Sequence, residues 1–264
     1  MRAKLIGMAL IVLAGSVAQA QPYTFGGIPA GGGGWTWNQS GMLGFRSALT
    51  NPANFGPAGV VGTSVATVSI PSISAANLAT IDCFVAPANH DSAYIPADIV
   101  AITAWFMAGG DLLLLNDGAD YDMIASSLGV PTQGTGGAQT IGVGPVGFTG
   151  PFGNVNAINN SGLIGTLNPI NVASTGGQVM GTNGGAPSVA FWDRGAFGPN
   201  SGRMIIVCDV DAIATNVGYP GQADYAAMNA NAIFALNVAA AFVPTPGSLS
   251  LLGVASLAAL RRRR

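Results

Sequence analysis

Aspartate and asparagine side chains follow three apolar runs that we predict to be strands of one sheet. The polar residues are Asn89, His90 and Asp91 after the first run, Asn116, Asp117, Asp120 and Asp122 after the second, and Asp209 and Asp211 after the third. In an open α/β sheet, ligands bind outside the carboxyl ends of the strands. Carboxylate and carbonyl oxygens are the ligands that Ca²⁺ and Mg²⁺ prefer. The candidate cation ligands, Ca²⁺ above all, are therefore Asp91, Asp117, Asp209 and Asp211.

Two other interpretations of these aspartates stay open at this stage. Asp and Asn after a strand are ordinary turn and cap residues, and Asp117-Gly118 is typical of a turn. Two carboxylates about 5–10 Å apart in a pocket would instead favour glycoside-type hydrolysis. The spacing is not that of an EF-hand. His90 is the only histidine in the chain, which excludes a His-rich metal site.

The elements that must position these residues alternate between strands and helices. Pro96 begins a predicted helix that Gly109-Gly110 ends, and a second long helix is predicted over 224–242. Residues 131–200 are rich in glycine and asparagine, which indicates strands and loops inserted into or added to the sheet. The predicted strands are Val65–Ile70, Ile81–Ala86, Leu112–Leu115 and Met204–Val210. This order predicts a single α/β domain over 21–243 with an open sheet.

Residues 60–130 and 200–242 resemble the class I glutamine amidotransferase-like fold. The similarity lies in a helix, then Gly109-Gly110, an apolar strand, and the sharp turn Asn116-Asp117-Gly118. The resemblance implies a flavodoxin-like, mostly parallel sheet with helices on both faces. It places Asn116 where the family has its cysteine nucleophile, and an amide cannot attack a carbonyl as a thiolate does. The family's later His-x-Glu is replaced by Asp209-Val210-Asp211, so we expect no catalytic residues and no enzyme.

The N-terminus has the pattern of a secretory signal peptide over residues 1–20. Arg2 and Lys4 precede the apolar stretch 5–13, and Ala18-Gln19-Ala20 forms an A-x-A cleavage site. Signal peptidase is thus an expected processing partner, and cleavage leaves Gln21 as the first residue. We therefore expect export.

The C-terminus has the pattern of a second sorting signal, over residues 244–264. It consists of the break Val243-Pro244-Thr245-Pro246-Gly247, an apolar run over 248–260, and the basic cluster Arg261, Arg262, Arg263 and Arg264. The run spans about 20 Å as a helix, short of the roughly 30 Å hydrocarbon core, and the arginines hold the end on the cytoplasmic side. The tail resembles the PEP-CTERM signal, with Thr245 where that family usually has Glu.

What this resemblance implies is processing by an exosortase. It predicts transient anchoring in the inner membrane, followed by a cell-surface or extracellular location. A eukaryotic GPI signal would share the removed tail but would end in apolar residues, and the four terminal arginines argue against it.

Removal of both signals changes the charge of the chain. The remaining chain has three arginines and eleven aspartates, which gives a formal charge of −8. Such a surface repels phosphate backbones, so nucleic acid is not an expected partner. The resulting hypothesis is a non-catalytic binding or structural module of the bacterial envelope, with an envelope polysaccharide as a candidate ligand. The alternative hypothesis is an extracellular hydrolase that uses the acidic edge.

Two pairs of residues permit two interpretations each. Cys83 and Cys208 could form a disulfide in an oxidising compartment or remain buried as small apolar residues. Trp35 and Trp37 could stack on a sugar or anchor the N-terminal arm to the core.

Overall fold

The computed structural model describes residues 21–29, 35–134, 140–215, 218 and 221–244, with the backbone alone for 140–147. The predicted signal peptide and the tail from Thr245 onward lie outside these residues. The described strands are β1 (Tyr23–Gly27), β2 (Val65–Ser69), β3 (Cys83–Pro87), β4 (Asp111–Leu115), β5 (Thr132–Gln133), β6 (Thr140–Gly150), β7 (Gly153–Gly162), β8 (Thr166–Leu167), β9 (Gln178–Asn183), β10 (Ala186–Trp192) and β11 (Met204–Val207). The described helices are α1 (Ser40–Thr50), α2 (Ala75–Leu78), α3 (Pro96–Met107), α4 (Met123–Ser127), α5 (Pro169–Ser174) and α6 (Ala230–Phe242).

Within the described ranges, nine strands form one sheet in the order β2-β1-β3-β4-β11-β10-β9-β6-β7, and β5 pairs with β8 separately. The first five strands are parallel, and their order along the chain is the 2-1-3-4-5 order of flavodoxin-like sheets. The remaining four strands are antiparallel. The α/β fold with an open sheet is thus confirmed, and most of the Gly- and Asn-rich segment 131–200 extends the sheet beyond β11.

Helices cover both faces of the sheet, and strand β4 shows why. Its four leucines are at most 1% exposed, as expected for a parallel strand covered on both sides. Leu113 and Leu115 contribute to the core beneath α1 and α6. Leu112 and Leu114 contribute to the core on the opposite face, beneath α2, α3, α4 and α5. The alternation of side chains along a strand thus builds two separate cores.

The same alternation decides the question of the cysteines. Cys83 belongs to the core of the α1 and α6 face, and Cys208 to the core of the opposite face. Both are free and buried. A disulfide between them would have to cross the sheet, so the interpretation as small apolar core residues holds.

The last helix is shorter than the sequence suggests. It begins at Ala230, where the Asn229 side chain caps it by accepting the Ala232 N–H at 2.9 Å. Met228 has a φ of 52°, a left-handed conformation that breaks the helical path. Asp224 instead accepts the N–H groups of Ala226 and Ala227 in a turn. The prediction of one helix over 224–242 is therefore wrong in its first turns.

The far end of the sheet, at β7, is closed by side chains of α6. The Asn231 amide accepts the Asn159 N–H and donates to the Asn159 carbonyl, both at 2.9 Å. Asn237 accepts the Phe152 N–H at 3.0 Å and donates to the Gly153 carbonyl at 2.8 Å. Asn231 and Asn237 are each 1% exposed, so the two amides are buried between α6 and β7. The other end of the sheet is β2.

Among the described residues no helix is both long and apolar enough to cross a membrane.

Candidate functional site

Strands β4 and β11 bring the middle and last of the three acidic segments together. They are parallel neighbours, with Leu115 opposite Val207. The N–H of Asn116 donates to the Val207 carbonyl at 2.9 Å, so both chains leave the sheet side by side. Asp117 therefore follows β4 at the same edge where Asp209 and Asp211 follow β11. These three aspartates are at most 8% exposed, and we call them the aspartate cluster.

Hydrogen bonds join the aspartate cluster to the turns around it. Asp117 Oδ1 accepts the N–H of Val210 at 2.7 Å. Asp209 accepts the N–H groups of Ser161 and Asp211 with its two oxygens, each at 2.9 Å. The Trp35 indole N–H donates to Asp211 Oδ1 at 3.0 Å. Each carboxyl thus holds a chain segment in place: the turn after β11, the end of β7, or the N-terminal arm.

Burial makes these carboxyl groups weak acids. Burial raises the pKa of Asp117 to about 8, with the Val210 N–H opposing this effect and the charge of Asp211 adding to it. Burial raises the pKa of Asp209 well above its usual range, and the charges of Asp117 and Asp211 raise it further. Burial also raises the pKa of Asp211 to about 6, against hydrogen bonds from Trp35 and Ser161. Burial therefore favours the protonated form of each of these three carboxyl groups.

Asp91, the fourth candidate ligand, takes a different position. It begins a short 3₁₀ helix after β3, and its Oδ1 accepts the Met123 N–H of α4 at 2.8 Å. Its electrostatic neighbour is Asp122, whose pKa is raised by burial and, to a lesser degree, by Asp91. Within the part of the chain that the structure describes, no group of three His, Cys, Asp or Glu side chains is placed to hold a metal ion. Calcium binding by these aspartates stays a hypothesis beside their interpretation as turn residues.

The residue at the amidotransferase nucleophile position is part of the core. Asn116 is 1% exposed, and its side-chain amide donates to the Thr132 hydroxyl at 3.0 Å. His90 lies on the surface, where its Nδ1 accepts the Ser92 N–H at 3.2 Å and its ring meets the edge of Tyr121. The side chain of Asn116 thus has a packing role, and His90 contacts Ser92 and Tyr121.

The two tryptophans act as anchors. Trp37 is fully buried, and its indole N–H donates to the Val68 carbonyl at 2.6 Å. Trp35 is half-buried and bonds Asp211. A ring without exposed faces cannot stack on a sugar, so the interpretation of a paired carbohydrate platform is wrong and the anchor interpretation holds.

The arginines of the described chain lie away from the aspartate cluster. Arg194 pairs with the buried Asp111 at 2.6 Å, and Arg203 pairs with the exposed Asp193 at 3.0 Å. Asp111 begins β4, so this pairing occurs at the opposite edge of the sheet from Asp117. The Arg46 guanidinium lies 5.9 Å from the centre of the Trp37 ring.

Sequence reasoning missed Ser161 and Trp35 as partners of the aspartate cluster. Ser161 is 48 residues from Asp209 along the chain, and Trp35 is 176 residues from Asp211. Neither contact has a local signal, because no motif links a serine in an asparagine-rich segment to a distant carboxylate.

No protein-family model matches this chain, and no curated protein matches it in sequence. Solved structures do show similarity. The mmIFT52 N-terminal domain is 12% identical with a TM-score of 0.49, over 81% of this chain and 93% of that chain. A ThuA-like protein from Bacteroides uniformis is 12% identical with a TM-score of 0.47, over 84% and 89%. Cytoplasmic protein STM1381 from Salmonella typhimurium LT2 is 13% identical with a TM-score of 0.48, over 85% and 100%. With identities of 12–13% and TM-scores below 0.5, these similarities say nothing about the activity of this chain.

Proposed function

We propose that this chain is an exported, exosortase-sorted protein of the cell surface or extracellular matrix, and that it has a non-catalytic binding or structural role. The observation that supports the non-catalytic role is the bonding of the aspartate cluster. Its carboxyl groups accept hydrogen bonds from Val210, Ser161, Asp211 and Trp35, so they are used to join segments of the fold. Asn116 supports the same proposal because its amide is buried and bonded to Thr132.

The sorting part of the proposal rests on the two terminal sequence patterns. Their positions relative to the described elements are compatible with processing. Strand β1 begins at Tyr23, after the predicted cleavage site before Gln21, and helix α6 ends at Phe242, before the Pro-rich break. Cleavage at both sites would therefore remove no described strand or helix, and the folded domain could be released intact.

Intact-mass measurement on native surface material tests the sorting. We expect a mass without residues 1–20 and without the tail. The matched variant replaces Arg261, Arg262, Arg263 and Arg264 with glutamine, which should impair membrane retention of the precursor. Surface material that still carries the four arginines would contradict the proposal.

One observation favours the alternative of an extracellular hydrolase. Asp117 and Asp211 lie at one edge of the sheet and interact electrostatically, and carboxylate hydrolases use such a pair as acid and base. Hydrolysis of envelope polysaccharide by the mature domain, abolished by both Asp117→Asn and Asp211→Asn, would establish this alternative. The exposed Asp120→Asn variant is the control on the same edge. Equal product release with and without the protein would leave the non-catalytic role in place.

A further inference from the structure

The described chain ends beside a surface loop. The Thr63 hydroxyl donates to the Pro244 carbonyl at 2.7 Å, and the preceding Val243 is 4% exposed. The end of α6 is therefore held against residues 51–63, which connect α1 to β2. We call residues 51–63 the exit loop.

Its backbone hydrogen bonds make the exit loop an ordered structure. Phe55 and Val61 form a bridge, and both are buried in the core beneath α1 and α6. The Gly56 N–H donates to the Val61 carbonyl at 2.9 Å, and the Val60 N–H donates to the Ala53 carbonyl at 3.1 Å. The exit loop therefore presents a fixed surface rather than a flexible one.

The exit loop has no charged residue and exposes several apolar ones. The Val60 side chain is 53% exposed, and Pro57 and Ala58 are exposed beside it. The chain has no charged residue from Ser47 to Ile81, although the domain between the two signals carries a formal charge of −8. The acidic groups that would be repelled by anionic phospholipids thus lie elsewhere in the chain.

The connection from the exit loop to the apolar run of the tail is short. Only Thr245, Pro246 and Gly247 separate Pro244 from the run that begins at Ser248. Fully extended, this connection reaches about 14 Å. If the run enters a bilayer, as the proposed function requires, the residues around Pro244 must lie at the headgroup region.

We propose that the exit loop rests on the phospholipid surface while the precursor is anchored, so that the domain has a fixed orientation when its tail is cut. This inference rests on the proposed function, because it takes the tail as the anchor. Electrostatics supports phospholipid as the partner of the exit loop: an acidic domain approaches an anionic membrane best through a segment without acidic residues. Exposed apolar side chains beside an anchor add favourable contact with the interface.

Fluorescence quenching on the full chain tests this orientation. The precursor is reconstituted into vesicles of phosphatidylethanolamine and phosphatidylglycerol that contain headgroup-labelled nitroxide lipid. A fluorophore is attached to V60C, or to V100C as the matched control. Val100 is 69% exposed on α3, which packs on the opposite face of the sheet. Cys83 and Cys208 are at most 1% exposed and should not label in the folded protein.

We expect the V60C probe to lose most of its fluorescence and the V100C probe to keep most of it. A chain that floats with the vesicles but shows equal quenching at both positions would overturn the orientation and leave the anchor intact. A chain that does not float would refute the anchor and this inference together. Disulfide formation between two unlabelled V60C chains, together with an unquenched V60C probe, would also overturn the inference, since the loop would then be an interface between copies.

Discussion

The side-chain amide of Asn231 pairs with both backbone groups of Asn159, accepting its N–H and donating to its carbonyl at 2.9 Å each. One side chain of α6 thus takes the place of a neighbouring strand at the edge of β7. The same amide also donates to the Ala212 carbonyl at 3.1 Å, so it joins the sheet edge to the turn that holds the aspartate cluster.

Asn231→Leu should destabilise the domain. The variant leaves the part-buried N–H and carbonyl of Asn159 and the buried carbonyl of Ala212 without this partner, at about 1–3 kcal/mol for each buried unsatisfied group. We expect the free energy of unfolding to fall by about 2–5 kcal/mol in urea titrations. Asn156→Leu is the control, because Asn156 lies on the same strand but is exposed, and surface changes stay within about 0.5 kcal/mol. Equal unfolding midpoints for the two variants would contradict the edge-closing role.

The stability of the domain should fall as the pH rises through neutrality. The folded-state pKa of Asp117 is about 8 against an ordinary value of 3.8, so between these values the folded chain holds more protons than the unfolded chain. The stability that the raised pKa of Asp117 gives to the folded chain is fully present below about pH 4. It is lost as the pH rises to about 8. Asp211, with a pKa of about 6, adds to the lower part of this range.

Thermal melts at pH 5 and pH 8.5 measure this effect. We expect the wild-type Tm to be several degrees lower at pH 8.5, since about 1 kcal/mol shifts the Tm of a domain of this size by about 2–4 °C. Asp117→Asn keeps an oxygen for the Val210 N–H but cannot ionise, so its Tm should depend less on pH. The exposed Asp120→Asn variant should keep the wild-type dependence. A wild-type Tm that rises over this interval would show that Asp117 is ionised in the fold.

The sequence predicts the parts of the site that follow from single strands. The apolar runs of β3, β4 and β11 are visible because these strands are buried on both faces, and their polar ends then fall at one edge. The closing of β7 by Asn231 and Asn237 could not be predicted, because scattered asparagines are also what loops contain. The position of Asp91 could not be predicted either, since the 3₁₀ turn that directs it to α4 depends on a contact with Met123.

Asn116→Cys should not create glutaminase activity. The new thiol would be buried beside Thr132, and a buried apolar surrounding raises a thiol pKa and makes it a poor nucleophile. The chain's only histidine, His90, is exposed and contacts Ser92 and Tyr121. Glutamine hydrolysis by the wild-type protein that disappears in Asn116→Ala would contradict this prediction.

Millimolar Ca²⁺ should leave the melting curve of the mature domain unchanged. Among the described residues no group of three His, Cys, Asp or Glu side chains is placed to hold a metal ion. Burial also raises the pKa of Asp117, Asp209 and Asp211, so a cation would have to displace protons. A bound cation at 100 times its dissociation constant would stabilise the fold by about 2.7 kcal/mol. A rise in Tm of several degrees that Asp209→Asn removes would therefore establish a calcium site.

The closing of β7 by Asn231 and Asn237 limits how copies of this domain can assemble. A sheet edge with free backbone groups can accept a strand of another copy, whereas on β7 the Asn231 side chain already occupies both backbone groups of Asn159. On β2, at the other end of the sheet, the Trp37 indole N–H occupies the Val68 carbonyl. Copies of this domain that pair through either end of the sheet would therefore first have to displace a side chain of their own fold.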